Sequence, residues 1–158
     1  MPGQALARRS ALPVTMPRPN YSGRWRFNAE ASALQIAIPS ALDFTIEHRE
    51  PFFRLERTLR FGDRTDTFSI DLTVGAEPVP VPRGDATIYP GLQWDVGVGG
   101  GDQLVFRTRI VRGDEEAINL VRYRLEPGGN TLVADESFRS SSQNYDNRWV
   151  LTRERGPQ

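Results

Sequence analysis

The sequence predicts an all-β domain: an antiparallel up-and-down barrel of about 8–10 strands with at most one short helix. Two observations predict it. Apolar and polar residues alternate with period two in short runs from Tyr21 to Arg153, which gives each strand one dry face and one wet face. Most runs are separated by a few turn residues only, and hairpins alone give antiparallel pairing. Closing a meander of hairpins into a barrel also removes exposed strand edges. A two-sheet sandwich is the alternative. It needs Greek-key crossings, and only the stretch Gly75 to Gly91 is long enough for one.

Each element follows from its residues. Tyr21, Gly23, Trp25 and Phe27 share one face, opposite Ser22, Arg24 and Arg26. Ala29 to Ile38 carries the one helix-like period, with Asn28 in the N-cap position. Leu42, Phe44, Ile46 and His48 then oppose Asp43, Thr45, Glu47 and Arg49. After Glu50-Pro51, the residues Phe53, Leu55, Arg57, Leu59 and Phe61 line up against Arg54, Glu56, Thr58 and Arg60. Gly62-Asp63 is a turn, and Phe68, Ile70, Leu72 and Val74 form the next dry face. The segment from Gly75 to Gly91 holds Pro78, Pro80, Pro82 and Pro90. Proline cannot donate to a ladder, so this reads as a long loop with a short edge strand at Thr87–Tyr89. Strand character resumes at Leu92, Trp94 and Val96, and the glycines from Gly97 to Gly101 form a turn. Leu104, Phe106, Thr108 and Ile110 lead to the turn Arg112-Gly-Asp114. In Ile118 to Leu125, Ile118 and Leu120 point away from Val121, Tyr123 and Leu125, so a bulge is expected to switch the face. After the turn Pro127–Asn130 come Leu132, Ala134, Glu136 and Phe138, the polar loop 140–143, and the last run, Arg148 to Arg153.

The chain has 158 residues, the size of one domain. Residues 20–155 are assigned to the barrel. Residues 1–19 lack alternation, hold four prolines and are assigned to a disordered tail. That tail also lacks the apolar core of a signal peptide. The expected location is cytoplasmic if Met1 is the true start, and periplasmic or secreted if an upstream leader has been lost. Twenty basic and twenty acidic side chains cancel, so nothing electrostatic favours nucleic acid or an anionic membrane. No apolar run is long enough to span a bilayer as a helix. There is no cysteine and no lysine, and His48 is the single histidine. Thiolate metal sites, cysteine nucleophiles, Schiff bases and a Walker A lysine are therefore excluded. One histidine argues against a zinc site, and no cofactor is expected. The oligomeric state is not legible.

Arg57 is the sharpest candidate. It shares its face with Phe53, Leu55, Leu59 and Phe61, and a guanidinium on a dry face must be paired or reach water. Three readings are open, one of them a bulge or a strand whose faces are reversed, which would turn Arg57 outward. Otherwise Arg57 forks onto a ligand carboxylate or phosphate, or it pairs structurally with Glu136, which interrupts the apolar face of Leu132, Ala134 and Phe138. His48 closes an apolar face, as a hydrogen-bonded structural histidine or as a ligand contact or base. Trp94, Phe106, Tyr123 and Trp149 are interior aromatics that serve as core or as cavity wall.

The opening Tyr21-Ser-Gly-Arg-Trp25 resembles the G-x-W signature of the calycins, the lipocalin and fatty-acid-binding-protein superfamily. The chain as a whole is similar to small bacterial lipocalin-like proteins, closing on Tyr145-Asp-Asn-Arg-Trp149. The resemblance spans roughly Asn20 to Glu154 and rests on two fixed residues, Gly23 and Trp25. It implies a lipocalin-like barrel with an internal cavity for a hydrophobic ligand, and a Trp25 that plugs the closed end. Two family devices are missing. The last strand lacks the Arg-x-Tyr pair that holds a fatty-acid carboxylate, and no late histidine is present to ligate haem. The expected function is binding of a small hydrophobic molecule, whose acidic group, if it has one, Arg57 would hold. Ligand-contacting candidates are Arg57, His48, Trp94, Phe106, Tyr123 and Glu136. One alternative is an enzyme on the same barrel (an isomerase, cyclase or decarboxylase) with Arg57 as anchor and His48, Glu136 or Tyr123 as acid or base. The other is a filled structural barrel. A cavity of about 300 Å³ or more would separate that last reading from the first two.

Overall fold

The structure is a computed structural model that describes residues 18–96 and 101–155. The expected tail therefore lies outside the described residues except for its last two positions, and so does most of the glycine turn after Val96. Eleven strands carry the alternation: β1 (Gly23–Phe27), β2 (Ala33–Leu34), β3 (Ala41–Arg49), β4 (Phe52–Phe61), β5 (Arg64–Thr73), β6 (Val81–Arg83), β7 (Ala86–Val96), β8 (Asp102–Arg112), β9 (Glu115–Leu125), β10 (Thr131–Ser140) and β11 (Asn144–Arg153). They form one curled antiparallel sheet in the order β5-β4-β3-β1-β11-β10-β9-β8-β7-β6. This is an up-and-down meander. The pairing of β1 with β11 joins the two ends of the chain. The expected dry faces point inward: Leu42, Phe44, Ile46, Phe53 and Leu55 are all buried.

The sheet curls into a barrel with one seam, between β5 and β6–β7, that carries no ladder. At one end of the seam the Gly75 amide donates to the Leu92 carbonyl at 2.8 Å. Beyond that bond the two edges are joined by side chains.

Three expectations are corrected. Ala29 to Ile38 forms no helix. The Ala31 amide donates to Asn28 Oδ1 at 3.2 Å, and Ala33 and Leu34 then pair with Arg148 and Asn147 of β11. A run this short makes a marginal helix, and the free edge of β11 satisfies its backbone instead. The proline-rich stretch is not one long loop. Val81–Arg83 and Ala86–Ile88 form a hairpin, and β7 continues through Pro90, which sits opposite Thr108. Proline is tolerated there because β6 ends opposite Ile88, so the edge at Pro90 has no ladder to feed. Finally, β9 has no bulge. Its registers with β8 and β10 run unbroken, which keeps Ala117, Asn119, Val121 and Tyr123 on the inner face. Ile118 and Leu120 face outward, half-buried, and the polar residue on the inside is Asn119.

Among the described residues there is no helix long and apolar enough to cross a membrane.

Candidate functional site

The interior has two halves. Hairpins β3–β4 and β9–β10 and the start of β1 lie at one end, and hairpins β4–β5, β6–β7, β8–β9 and β10–β11 at the other. The first end is sealed. Tyr21, Trp25, Phe53, Leu92, Leu104, Leu132 and Leu151 are the largest fully buried side chains of the protein, and all belong to this half. Trp25 is 1% exposed. Its indole Nε1 donates to the Tyr21 carbonyl at 3.0 Å, and the Arg153 guanidinium lies 4.3 Å from the indole centroid. Gly23 has a φ of 151°, a conformation that residues with side chains rarely adopt. An added Cβ would lie 2.5 Å from Arg153 Nη1. The side chain of Arg153 thus fills the space beside Gly23.

His48 and Trp94 belong to this seal and do not line the cavity, contrary to the expectation that placed them at the ligand. His48 is 3% exposed. The Tyr21 amide donates to its Nδ1 at 3.3 Å, so the ring proton sits on Nε2, which donates to Glu50 Oε2 at 2.8 Å. Trp94 Nε1 donates to the other carboxylate oxygen, Glu50 Oε1, at 2.9 Å. Partial burial disfavours the charged form of Glu50, yet the Trp94 and His48 donors together with the nearby Arg18 hold its carboxyl below the usual range. Tyr21, His48 and Trp94 form a triangle of rings, with centroids 5.9 Å (Tyr21–His48), 6.2 Å (Tyr21–Trp94) and 5.9 Å (His48–Trp94) apart, and Arg18 caps Trp94 from outside at 5.0 Å. Both nitrogens of His48 are committed, which leaves it no free lone pair for base catalysis.

Above the seal lies a cavity of about 370 Å³, large enough for a small molecule. Its apolar wall includes Leu42, Phe44, Leu55, Phe106, Val121 and Leu151. The alternation along each strand puts them there. Burial that is complete at Phe53 and Leu55 turns partial at Arg57, Leu59 and Phe61, and the same grading runs along β8 and β10. Four of the expected site residues, Arg57, Phe106, Tyr123 and Glu136, line this cavity.

Arg57 faces inward as its alternation requires, and its side chain is 31% exposed. Its Nε is buried with no hydrogen-bond partner. Burial pulls the guanidinium's pKa down, partly offset by the nearby Asp66. The expected Arg57–Glu136 ion pair does not form. The carboxylate nearest the guanidinium is Asp66, with Nη2–Oδ2 at 3.8 Å. Glu136 Oε1 instead accepts from Asn147 Nδ2 at 2.9 Å and Trp149 Nε1 at 3.0 Å. Two neutral donors on the adjacent strand share this one oxygen, because Glu136 stands directly opposite Asn147 in the β10–β11 register.

Tyr123 is fully enclosed, and burial pushes its phenol far up. It is held neutral at any physiological pH, so it can donate a hydrogen bond but is a poor acid or base. Asn119 also lines the cavity, and its Oδ1 is buried without a partner. Sequence reading missed it because the expected bulge would have turned it outward. Arg83 and Arg112 complete the polar rim. Arg83 was missed because the prolines around it read as loop.

No protein-family model matches the chain, and neither does any curated protein. Among solved structures it is similar to secretory abundant heat soluble protein 4 from Ramazzottius varieornatus. The TM-score is 0.53 at 14% identity, over 89% of this chain and 100% of that chain. At that identity the likeness is one of fold.

Proposed function

We propose that the barrel binds a small, largely hydrophobic molecule that carries an acidic group, with the acid held by Arg57 and the apolar part lying against Phe44, Leu55 and Phe106. The lipocalin-like kinship suggested by Gly23 and Trp25 is part of this reading. One observation carries it: a guanidinium on the wall of a 370 Å³ cavity that is otherwise mostly apolar there, with a buried Nε that nothing among the described residues accepts from. Leaving such a donor unpaired costs about 1–3 kcal/mol, and a structural role would have supplied a partner. A bound carboxylate supplies two acceptor oxygens in the geometry a guanidinium fork matches. Glu136, already bonded to Asn147 and Trp149, repels an anion from the opposite wall.

The test uses decanoate and its uncharged counterpart decanol, titrated calorimetrically into the full chain. Both are expected to bind. Arg57→Met is expected to weaken decanoate by about tenfold or more, equivalent to about 1.4 kcal/mol, and to leave decanol within about twofold, well inside that interval. Failure of both probes to bind overturns the binding reading. Equal loss of decanoate and decanol overturns the role given to Arg57.

A further inference from the structure

Arg57 is not the only cation at the seam. Arg83, on β6 across the unladdered gap, also lines the cavity. Both guanidiniums turn toward one carboxylate oxygen, Asp66 Oδ2, at 3.8 and 3.9 Å. Those separations exceed hydrogen-bond range, and the Asp66 side chain is 51% exposed. Both cations also lie over the same ring, Phe68, with centroid distances of 5.4 and 4.3 Å. The arrangement is two positive charges facing each other across a gap, an aromatic platform beneath them, and a loosely held carboxylate between. Formal charges sum to +1 with Asp66 in place and to +2 without it.

We infer that the anionic head of the ligand docks between Arg57 and Arg83, in the position that Asp66 holds in the free protein. This rests on the ligand-binding reading above and deepens it. Asp66 is then an intramolecular stand-in for the ligand's head. It neutralises two cations that would otherwise repel each other, and it competes with the ligand for them. The ligand class follows from what Asp66 presents there: a carboxylate, here on an apolar tail, which replaces the single charge of Asp66 with its own. The orientation follows as well. The seam is bonded shut at its sealed end by Gly75 and Leu92. The head therefore sits at the open stretch of the seam, and the tail points down toward Leu55.

The proposal makes a prediction opposite to that of a structural ion pair. Asp66→Asn removes the competitor and keeps the shape. It is expected to tighten decanoate binding by about two- to fivefold, the size expected of a partly exposed charge pair, and to leave decanol unchanged. Arg83→Met is expected to weaken decanoate by a similar factor, again about two- to fivefold, without affecting decanol. Decanol binding also reports that each variant is folded. If wild type binds decanoate and Arg57→Met does not, yet Asp66→Asn binds it equally or more weakly, the inference is overturned while the ligand-binding reading stands. If decanoate binds neither wild type nor Asp66→Asn, both fall.

Discussion

The two halves of this barrel are made by the same strands and differ in what fills them. In the sealed half the inward positions are Tyr21, Trp25, Phe53, Leu92 and Leu104, large side chains that interlock and exclude water. In the open half the wall presents Arg57, Asn119, Glu136 and Arg83 among apolar groups such as Leu59 and Phe68 that are only partly buried. Polar groups exist in both halves, but they are treated differently. His48 has both nitrogens bonded and Glu50 both oxygens, whereas Arg57 Nε and Asn119 Oδ1 have no partner. Fully satisfied polar networks specify a rigid core, and unsatisfied ones mark strain or function. The sealed half carries the fully enclosed core, and the binding proposed above belongs to the other half.

The largest expected contrast is in truncation. Trp25→Ala or Phe53→Ala is expected to cost about 3–5 kcal/mol in denaturant unfolding, as for other enclosed aromatics. Leu59→Ala in the open half is expected to cost under about 2 kcal/mol, because its side chain is only partly removed from water. Equal costs in the two halves would abolish the distinction.

Alkaline pH attacks the seal next. Burial pushes the Tyr21 phenol up to about 12, and Tyr123 is raised further still. A phenol whose pKa is raised by folding contributes stability that is fully present below its unfolded value. That stability is lost as pH rises above about 10 and through the folded value. For Tyr21 alone the loss is on the order of 2 kcal/mol by pH 12. Unfolding free energy measured against pH should be flat through neutrality in this respect and fall above about 10. Phenolate absorbance should show both residues ionising only as the protein unfolds. Ionisation of either within the folded state would show that water reaches the seal.

A smaller effect is expected at Gly23. Gly23→Ala must take a φ of 151° and meet Arg153, at a cost of about 1–3 kcal/mol. Gly62→Ala, at a turn of the open end with nothing near the added Cβ, is expected to cost less. The smallest stability effect is expected at Arg57. Arg57→Met removes a cation whose buried Nε is unpaired, so the melting temperature of the free protein should be unchanged or raised. A marked fall would mean that the Asp66 and Phe68 contacts hold the seam together.

Much of the fold was legible because one-residue alternation is a strong constraint: a slip would expose every inward side chain. That is why Leu42 to His48 and Phe53 to Phe61 were assigned to the correct faces, and why Arg57 stood out before any coordinates. The failures were at positions where a local signal had to compete with a distant partner. Asn28 looked like a helix cap, but the edge of β11 was waiting for Ala33 and Leu34. Pro90 looked like a breaker, but β6 stops short of it.

The sequence by itself determined most of the inward and outward sets, the meander of hairpins and the one inward-facing cation of β4, Arg57, since each depends on residues within a few positions of one another. Only the tertiary structure decided which carboxylate stands near which donor. Glu136 went to Asn147 and Trp149, and Asp66 came to Arg57 and Arg83, because a carboxylate takes its partner from whatever the register and curl of the sheet set beside it. Register between distant strands and the position of the one unladdered seam are properties of closure. No local pattern encodes them, and they turned a row of alternating residues into a sealed end and an open one.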